Sequence, residues 1–266
     1  MTMRLKDKTA IVTGVGLKGH GIGTGICKVL AREGAKVATF DVVEQNAIDS
    51  AEDVKALGRD SLAYKVDVVN YAELEKAVRD VIAKWGKLDI MCNNAGISHE
   101  RCPVNTWETS EAEFDRLVAI NCKGVWNGCR AAAPHMVSRR YGKIINTSSM
   151  VARDSFPGGA IYTATKYFVN GLTSAMAREI GKYNINVNAV APGIVETSIW
   201  DRLNMCYGEL MGKDPKEVFK SFTDTIPLGR PQTPEDVGNV VAFLASDEAK
   251  EITGQMYAVC GGKTPI

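Results

Sequence analysis

Strand and helix signals alternate along almost the whole chain, and that alternation limits the fold more than any single motif. Short apolar runs read as strands at 9–12, 36–40, 61–66, 88–92, 143–147, 185–190 and 256–259. Between them lie segments with the helical spacing of apolar residues, at 21–33, 44–57, 71–85, about 110–139, 159–182 and 234–246. Gly34, Gly58 and Gly86 close three of these helices, as helix C-termini favour. Strands joined by helical crossovers run parallel, so the expected fold is α/β, a parallel sheet covered on both faces. The stretch 197–228 breaks the pattern and reads as irregular and aromatic-rich. No linker, repeat or low-complexity tract interrupts residues 1–266, which read as one domain.

Bulk properties exclude several function classes. The 266 residues carry a net charge of +1, which argues against a nucleic-acid or membrane surface. No apolar run approaches the ~20 residues of a membrane helix, and the opening run Ala10–Val15 is too short for a signal peptide. The seven cysteines form no Cys-x-x-Cys pair, so they read as reduced thiols, mostly core fillers, in a cytoplasmic protein. His99 and His135 lack ligand spacing to other metal-binding residues, and no metal is assigned.

Ser149, Tyr162 and Lys166 carry the candidate chemistry. Four residues apart on a helix, Tyr162 and Lys166 leave the same face. Ser149 follows the apolar strand 143–147, and the Pro157-Gly158-Gly159 turn can return the chain to the helix start. An ammonium beside a phenol favours the phenolate, which suits a group that must trade a proton with an alcohol oxygen. On its own, Tyr-x-x-x-Lys equally describes two surface residues of an amphipathic helix.

The first strand leads into Thr13-Gly14-Val15-Gly16-Leu17-Lys18-Gly19-His20-Gly21-Ile22-Gly23. A Gly-x-Gly-x-x-Gly match at Gly14, Gly16 and Gly19, between strand and helix, points to a dinucleotide pyrophosphate at a helix N-terminus; the alternative is a flexible glycine loop. Asp41 ends the second strand, where a carboxylate binds ribose hydroxyls and repels a 2′-phosphate, favouring NAD over NADP; Asp also suits a helix N-cap. Lys18 argues the other way. Asp67 and Val68 follow the third strand and can meet the adenine. Asn94, Ala95 and Gly96 follow the fourth and let a cofactor lie against backbone, although turn chemistry alone also favours these residues.

Taken together, Thr13-Gly14 with Gly21-Ile22-Gly23, Asn93-Asn94-Ala95-Gly96, Asn121, Ser149, Tyr162-x-x-x-Lys166 and Pro192-Gly193-x-x-x-Thr197 resemble the short-chain dehydrogenase/reductase family over nearly the whole chain. The resemblance implies one Rossmann-type, doubly wound domain with a seven-stranded parallel sheet. It implies Tyr162 as acid/base, Lys166 as its pKa modulator and ribose ligand, Ser149 as the substrate-orienting hydroxyl, and Asn121 as holder of a relay water. It further implies that Pro192, Gly193, Ile194 and Thr197 line the nicotinamide. Two departures stand out. Six residues separate Gly14 from Gly21, three more than is usual. Cys260 stands where the family often has Asp, which suggests an effect on subunit packing.

By the same resemblance, 197–228 is a substrate-binding lid. Its apolar residues suit a hydroxysteroid, and its polar ones a diol or polyol. The expected partner is a small secondary alcohol or ketone. Apolar residues on more than one face of the helices at 110–139 and 159–182 fit a homodimer or homotetramer. An NADP-dependent 3-oxoacyl thioester reductase and a non-catalytic dinucleotide sensor are the rival readings.

Overall fold

The structure is a computed structural model describing residues 3–17, 20–101 and 103–264. Seven strands form one parallel sheet in the order β3-β2-β1-β4-β5-β6-β7. In chain order these are β1 Thr9–Thr13, β2 Lys36–Asp41, β3 Ser61–Lys65, β4 Ile90–Asn93, β5 Gly142–Thr147, β6 Ile185–Pro192 and β7 Met256–Val259. The crossover helices are α1 Ile22–Arg32, α2 Glu44–Ala56, α3 Tyr71–Trp85, α4 Glu111–Val118, α5 Val125–Arg139 and α6 Ala160–Ile180. Then come α7 Ser198–Met211, α8 Pro215–Thr223 and α9 Pro234–Ala245.

Side-chain alternation along the strands divides the core in two. Ala10, Val12, Ile90 and Cys92 face one way and pack with residues of α1 and α9 such as Ile26, Leu30, Val237 and Val241. Ile11 and Met91 face the other way, against Leu74 and Val78 of α3, Cys129 and Met136 of α5 and Val169 of α6. Near-continuous apolar strands are what a sheet buried on both faces requires. Because β1 sits between β2 and β4, the connection after β3 crosses to the other half of the sheet. The crevice this leaves at the strand C-termini is where open α/β sheets bind ligands.

Two expected elements differ in the structure. The stretch 197–228 is not irregular: it folds into α7 and α8. Trp200, Phe219, Tyr207 and Phe222 pack edge-on or tilted, with ring centroids 5.2–5.5 Å apart. These aromatics hide the helical period because they serve a small local core rather than a face on the sheet. The expected helix 110–139 is helical throughout but changes pitch: Ala119–Gly124 is a π segment between α4 and α5.

Cys260 is buried and touches the backbone of Gly193, so its environment is the subunit's own interior rather than an exposed face. Five of the six described cysteines are buried, and those six are free thiols. No helix among the described residues is long and apolar enough to cross a membrane. Likewise, no three of their His, Cys, Asp or Glu side chains are grouped to hold a metal ion.

Candidate active site

A cavity of about 1070 Å³ runs along the strand C-termini. Gly14, Gly21, Ile22, Asp41, Asp67, Val68, Asn94, Ala95, Gly96, Ser149, Tyr162, Lys166, Pro192, Gly193, Ile194 and Thr197 all line it. Sixteen positions spread over the chain thus meet in one space, because most follow a strand or open the next helix, while Tyr162 and Lys166 enter from the first two turns of α6. Gly23 and Asn121, also expected at the site, lie behind its wall.

The glycine-rich turn explains its own composition. Gly14 has φ +64°, and a Cβ there would stand 2.9 Å from the Ala95 Cβ. Gly23 is buried in α1, where a Cβ would come within 2.6 Å of the Val15 Cα and 2.8 Å of the Asn94 Nδ2. Its absent side chain lets helix and turn pack, which places it outside the cavity lining. Gly16 and Gly21 approach each other closely across the additional residues. Leu17 and His20 of this bulge line the cavity, whereas Lys18 and Gly19 lie outside the described residues.

Asp41 is held at the end of β2 by three donors. Its Oδ2 accepts from Gly16 N at 2.9 Å, and its Oδ1 accepts from Val43 N at 2.9 Å and Asn46 Nδ2 at 3.3 Å. The carboxylate therefore joins the glycine turn to the residues at the start of α2. Thr13 Oγ1 accepts from the amides of Asn94 and Ala95 at 3.1 and 3.2 Å, and Asn94 Nδ2 donates to Gly14 O at 2.7 Å. This stitching fixes the small-residue floor after β4 to the turn after β1.

At the other end, Ser149, Tyr162 and Lys166 face the cavity together. Burial pushes the Tyr162 phenol up, and a hydrogen bond with Ser149 partly offsets this. Lys166 is pushed down to about 8, chiefly by burial. Its Nζ donates to Thr147 O at 3.0 Å and stands 5.6 Å from the centre of the Tyr162 ring. Both groups are desolvated, and desolvation disfavours phenolate and ammonium alike.

Asn121 is fully buried in the π segment. It accepts from Ile97 N at 2.8 Å and donates to Ile97 O at 2.9 Å and Thr165 Oγ1 at 3.0 Å. The extra residue of a π turn aims a side chain that an α-helix would place elsewhere. Asn121 braces the loop after β4 against α6 between Tyr162 and Lys166. A Cβ on Gly96 would sit 3.3 Å from Asn121 Oδ1 and 3.4 Å from Lys166 Nζ, so a small space separates amide and ammonium.

Trp200, Leu203, Tyr207 and Phe222 from α7 and α8 line the cavity too, as do Met150, Val151 and Phe156 of the segment between Ser149 and α6. Arg202 of α7 donates to Ser98 Oγ at 3.0 Å, tying these helices to the loop after β4. Of the two charged residues after Ser149, Asp154 lines the cavity, whereas Arg153 donates to Met256 O at 3.0 Å and points away. The sequence reading missed His99, which is buried beside Tyr162, and Asn46, which supports Asp41. Only the position of Asn46 five residues beyond Asp41, at a helix start, hinted at its use.

Comparison with known proteins agrees with this geometry. A family profile described as Enoyl-(Acyl carrier protein) reductase matches residues 16–264. The chain is 34% identical over 260 residues to the 3-oxoacyl-(acyl-carrier-protein) reductase FabG of Thermotoga maritima, covering 98% of this chain and 99% of that one. It is 35% identical over 264 residues to the L-2,3-butanediol dehydrogenase of Corynebacterium glutamicum, covering 96% and 98%. The crystal structure of NAD+-bound xylitol dehydrogenase superimposes with a TM-score of 0.90 at 28% identity, covering 97% of this chain and 100% of that one. The chain belongs to the short-chain dehydrogenase/reductase family and is an oxidoreductase of its alcohol dehydrogenase and ketone reductase type.

Proposed function

We propose that this protein is an NAD-dependent oxidoreductase that interconverts a secondary alcohol and a ketone, of the diol, polyol or hydroxysteroid kind. The observation that carries this reading is the pairing of ends in one cavity: Asp41 at the glycine turn, and Ser149, Tyr162 and Lys166 at the far side. The residues fit a dinucleotide. A Cβ at Gly14 would close the cradle against Ala95, and the N-terminus of α1 opens beside it, where a pyrophosphate is favoured. Gly14, Gly21 and Ile22 would hold the pyrophosphate, with Gly23 letting α1 approach. Asp41 would hold the adenosine ribose, Asp67 and Val68 the adenine, and Asn94, Ala95 and Gly96 the floor. Pro192, Gly193, Ile194 and Thr197 would border the nicotinamide, with Tyr162 and Lys166 at its ribose. When bound, the cofactor supplies the acceptor or donor of hydride.

The chain's own residues handle the proton. Tyr162 Oη gives a proton to the ketone oxygen or takes one from the alcohol, and Ser149 Oγ holds that oxygen against the phenol. Lys166 provides the neighbouring cation, and Asn121 holds the Lys166 side of α6 in register. The lid α7–α8, within a single domain, closes the substrate end and excludes water. Kinship with FabG keeps 3-oxoacyl thioester reduction as the second reading.

Assays with NAD(H) and NADP(H) against diols, polyols, hydroxysteroids and a 3-oxoacyl thioester test the choice. The expected result is turnover of a diol, polyol or steroid with NAD(H). Preference for NADPH and the thioester would replace this reading with the second one. Turnover of none of these would favour the non-catalytic sensor. A charged ribose contact is worth about 1.5–3 kcal/mol, so Asp41→Asn should weaken NAD binding roughly tenfold or more by fluorescence titration. The same change removes the repulsion of a 2′-phosphate and should tighten NADP binding. Unchanged affinities would take Asp41 out of cofactor choice.

We also infer that a second copy of this chain covers part of the α4–α6 face, giving a homodimer or homotetramer. Val125 and Val169 are buried against the sheet, while Phe114, Trp126, Tyr167 and Phe168 are 43–50% exposed on these helices. Soluble proteins seldom leave so many large apolar groups together in water. Light scattering should give a dimer or tetramer mass, and Trp126→Glu with Phe168→Glu should reduce it to a monomer. A monomeric parent protein would overturn this assignment.

A further inference from the structure

The start of α6 lacks an ordinary cap. Gly159 has no side chain to offer, and Thr163 N is satisfied by Gly159 O at 2.9 Å. The first helical amides must find partners outside the helix. The amide of Tyr162 finds one on the loop after β4: it donates to His99 Nε2 at 3.4 Å. The His99 ring is 2% exposed and lines the cavity. On its other side, Nδ1 stands 3.4 Å from Glu113 Oε1 of α4, and the same oxygen accepts from Glu100 N at 2.7 Å.

We propose that His99 is a positioning residue for Tyr162: buried beside Glu113, it caps the start of α6 from outside through Nε2 and fixes where the phenol stands. To accept from an amide, Nε2 must be unprotonated, so the ring proton of the neutral imidazole sits on Nδ1, facing the Glu113 carboxylate. A proton added to Nε2 would turn an acceptor into a donor aimed at another N–H. The cap would then become a repulsion at the backbone of the residue that must meet the substrate oxygen.

Charged groups surround the ring. Glu113 approaches Nδ1 and Glu100 follows in the same loop. Arg116 of α4 pairs with Glu100 at 3.2 Å, and Arg202 of α7 reaches the neighbouring Ser98. From α6 the facing titratable group is Tyr162 itself. Glu113 is the carboxylate nearest Nδ1, at 3.4 Å and outside hydrogen-bond geometry, and the Arg116 charge is directed at Glu100 rather than at the ring.

This inference rests on Tyr162 being the group that exchanges the proton, so Tyr162→Phe is assayed alongside. His99→Leu removes the acceptor and should lower kcat at least tenfold while changing dinucleotide affinity by less than threefold. His99→Gln restores an acceptor without a titrating ring. It should recover kcat to within about threefold of the parent, a rescue by the conservative variant that a merely structural histidine would not give. If Tyr162→Phe is inactive but His99→Gln loses kcat as far as His99→Leu does, the positioning role is overturned and the reading of Tyr162 stands. Full turnover by Tyr162→Phe would overturn both. In the unsubstituted protein at neutral pH, the 15N spectrum of labelled histidine should assign His99 as the Nδ1–H tautomer, identified by its loss in His99→Gln. Should His99→Gln fail to fold, assignment on the parent by backbone correlation decides. An Nε2–H ring would end the proposal.

Discussion

Replacing Tyr162 by Phe is expected to lower turnover by at least about a thousandfold, within the range by which a positioned acid or base accelerates reactions. Cofactor binding and the melting temperature should stay near those of the parent. The substitution removes one oxygen and keeps the ring. Its structural cost is the lost bond with Ser149, worth about 1 kcal/mol. Ser149 Oγ still accepts from Val151 N at 3.4 Å, so the serine is not stranded. Steady-state kinetics and a dinucleotide titration check the split between kcat and binding. Turnover within tenfold of the parent would take Tyr162 out of the proton transfer.

The same phenol sets a pH signature. Burial holds its ionisation above the ordinary tyrosine range, so the neutral, proton-donating form prevails at neutral pH. Ketone reduction uses that form directly. Alcohol oxidation needs the phenolate, and its rate should climb with pH over the alkaline range in which reduction declines. The profile belongs to the Tyr162–Lys166 pair, because Lys166 also titrates near pH 8 and loses its charge over part of that interval.

The alternation of strands and helices was legible because each crossover helix buries one stripe and the central strands β1, β2 and β4 are buried on both faces. Ile11 and Val12 show why: neighbours in sequence, they enter opposite cores. The site was legible for a related reason, since its residues sit at strand ends, where position along the chain fixes position in the crevice. Two things were hidden. The helices α7 and α8 pack on each other, so their apolar period points at aromatic partners rather than at the sheet. His99 looked idle because its partners are a backbone amide 63 residues away and a glutamate on another helix. Neither partner leaves a spacing that sequence can display. The effect of burial on Tyr162 and Lys166 was equally invisible, because a two-residue motif carries no measure of desolvation.

Gly14→Ala should be the most damaging conservative change in the glycine turn. Gly14 holds φ +64°, its N–H donates to Phe40 O at 2.7 Å, and its O accepts from Asn94 Nδ2 at 2.7 Å. A left-handed backbone costs an L-residue about 1–2 kcal/mol. A methyl group forced onto the Ala95 backbone adds about 1–3 kcal/mol of overpacking. Together these make about 2–5 kcal/mol, and at roughly 2–4 °C per kcal/mol for a large domain the melting temperature should drop by about 4–20 °C. Gly58 is the natural control: its φ is +75°, yet nothing lies within 4 Å of the added Cβ. Gly58→Ala should therefore cost only the backbone strain and leave dinucleotide affinity alone. Relief of the Gly14 clash requires moving the turn away from Ala95, into the cavity where the pyrophosphate is proposed to lie, so affinity should fall along with stability. Calorimetry and cofactor titration of the two variants separate close approach from backbone strain. If Gly14→Ala melts and binds like Gly58→Ala, the turn does not press on the floor after β4, and the proposed cradle loses its physical basis.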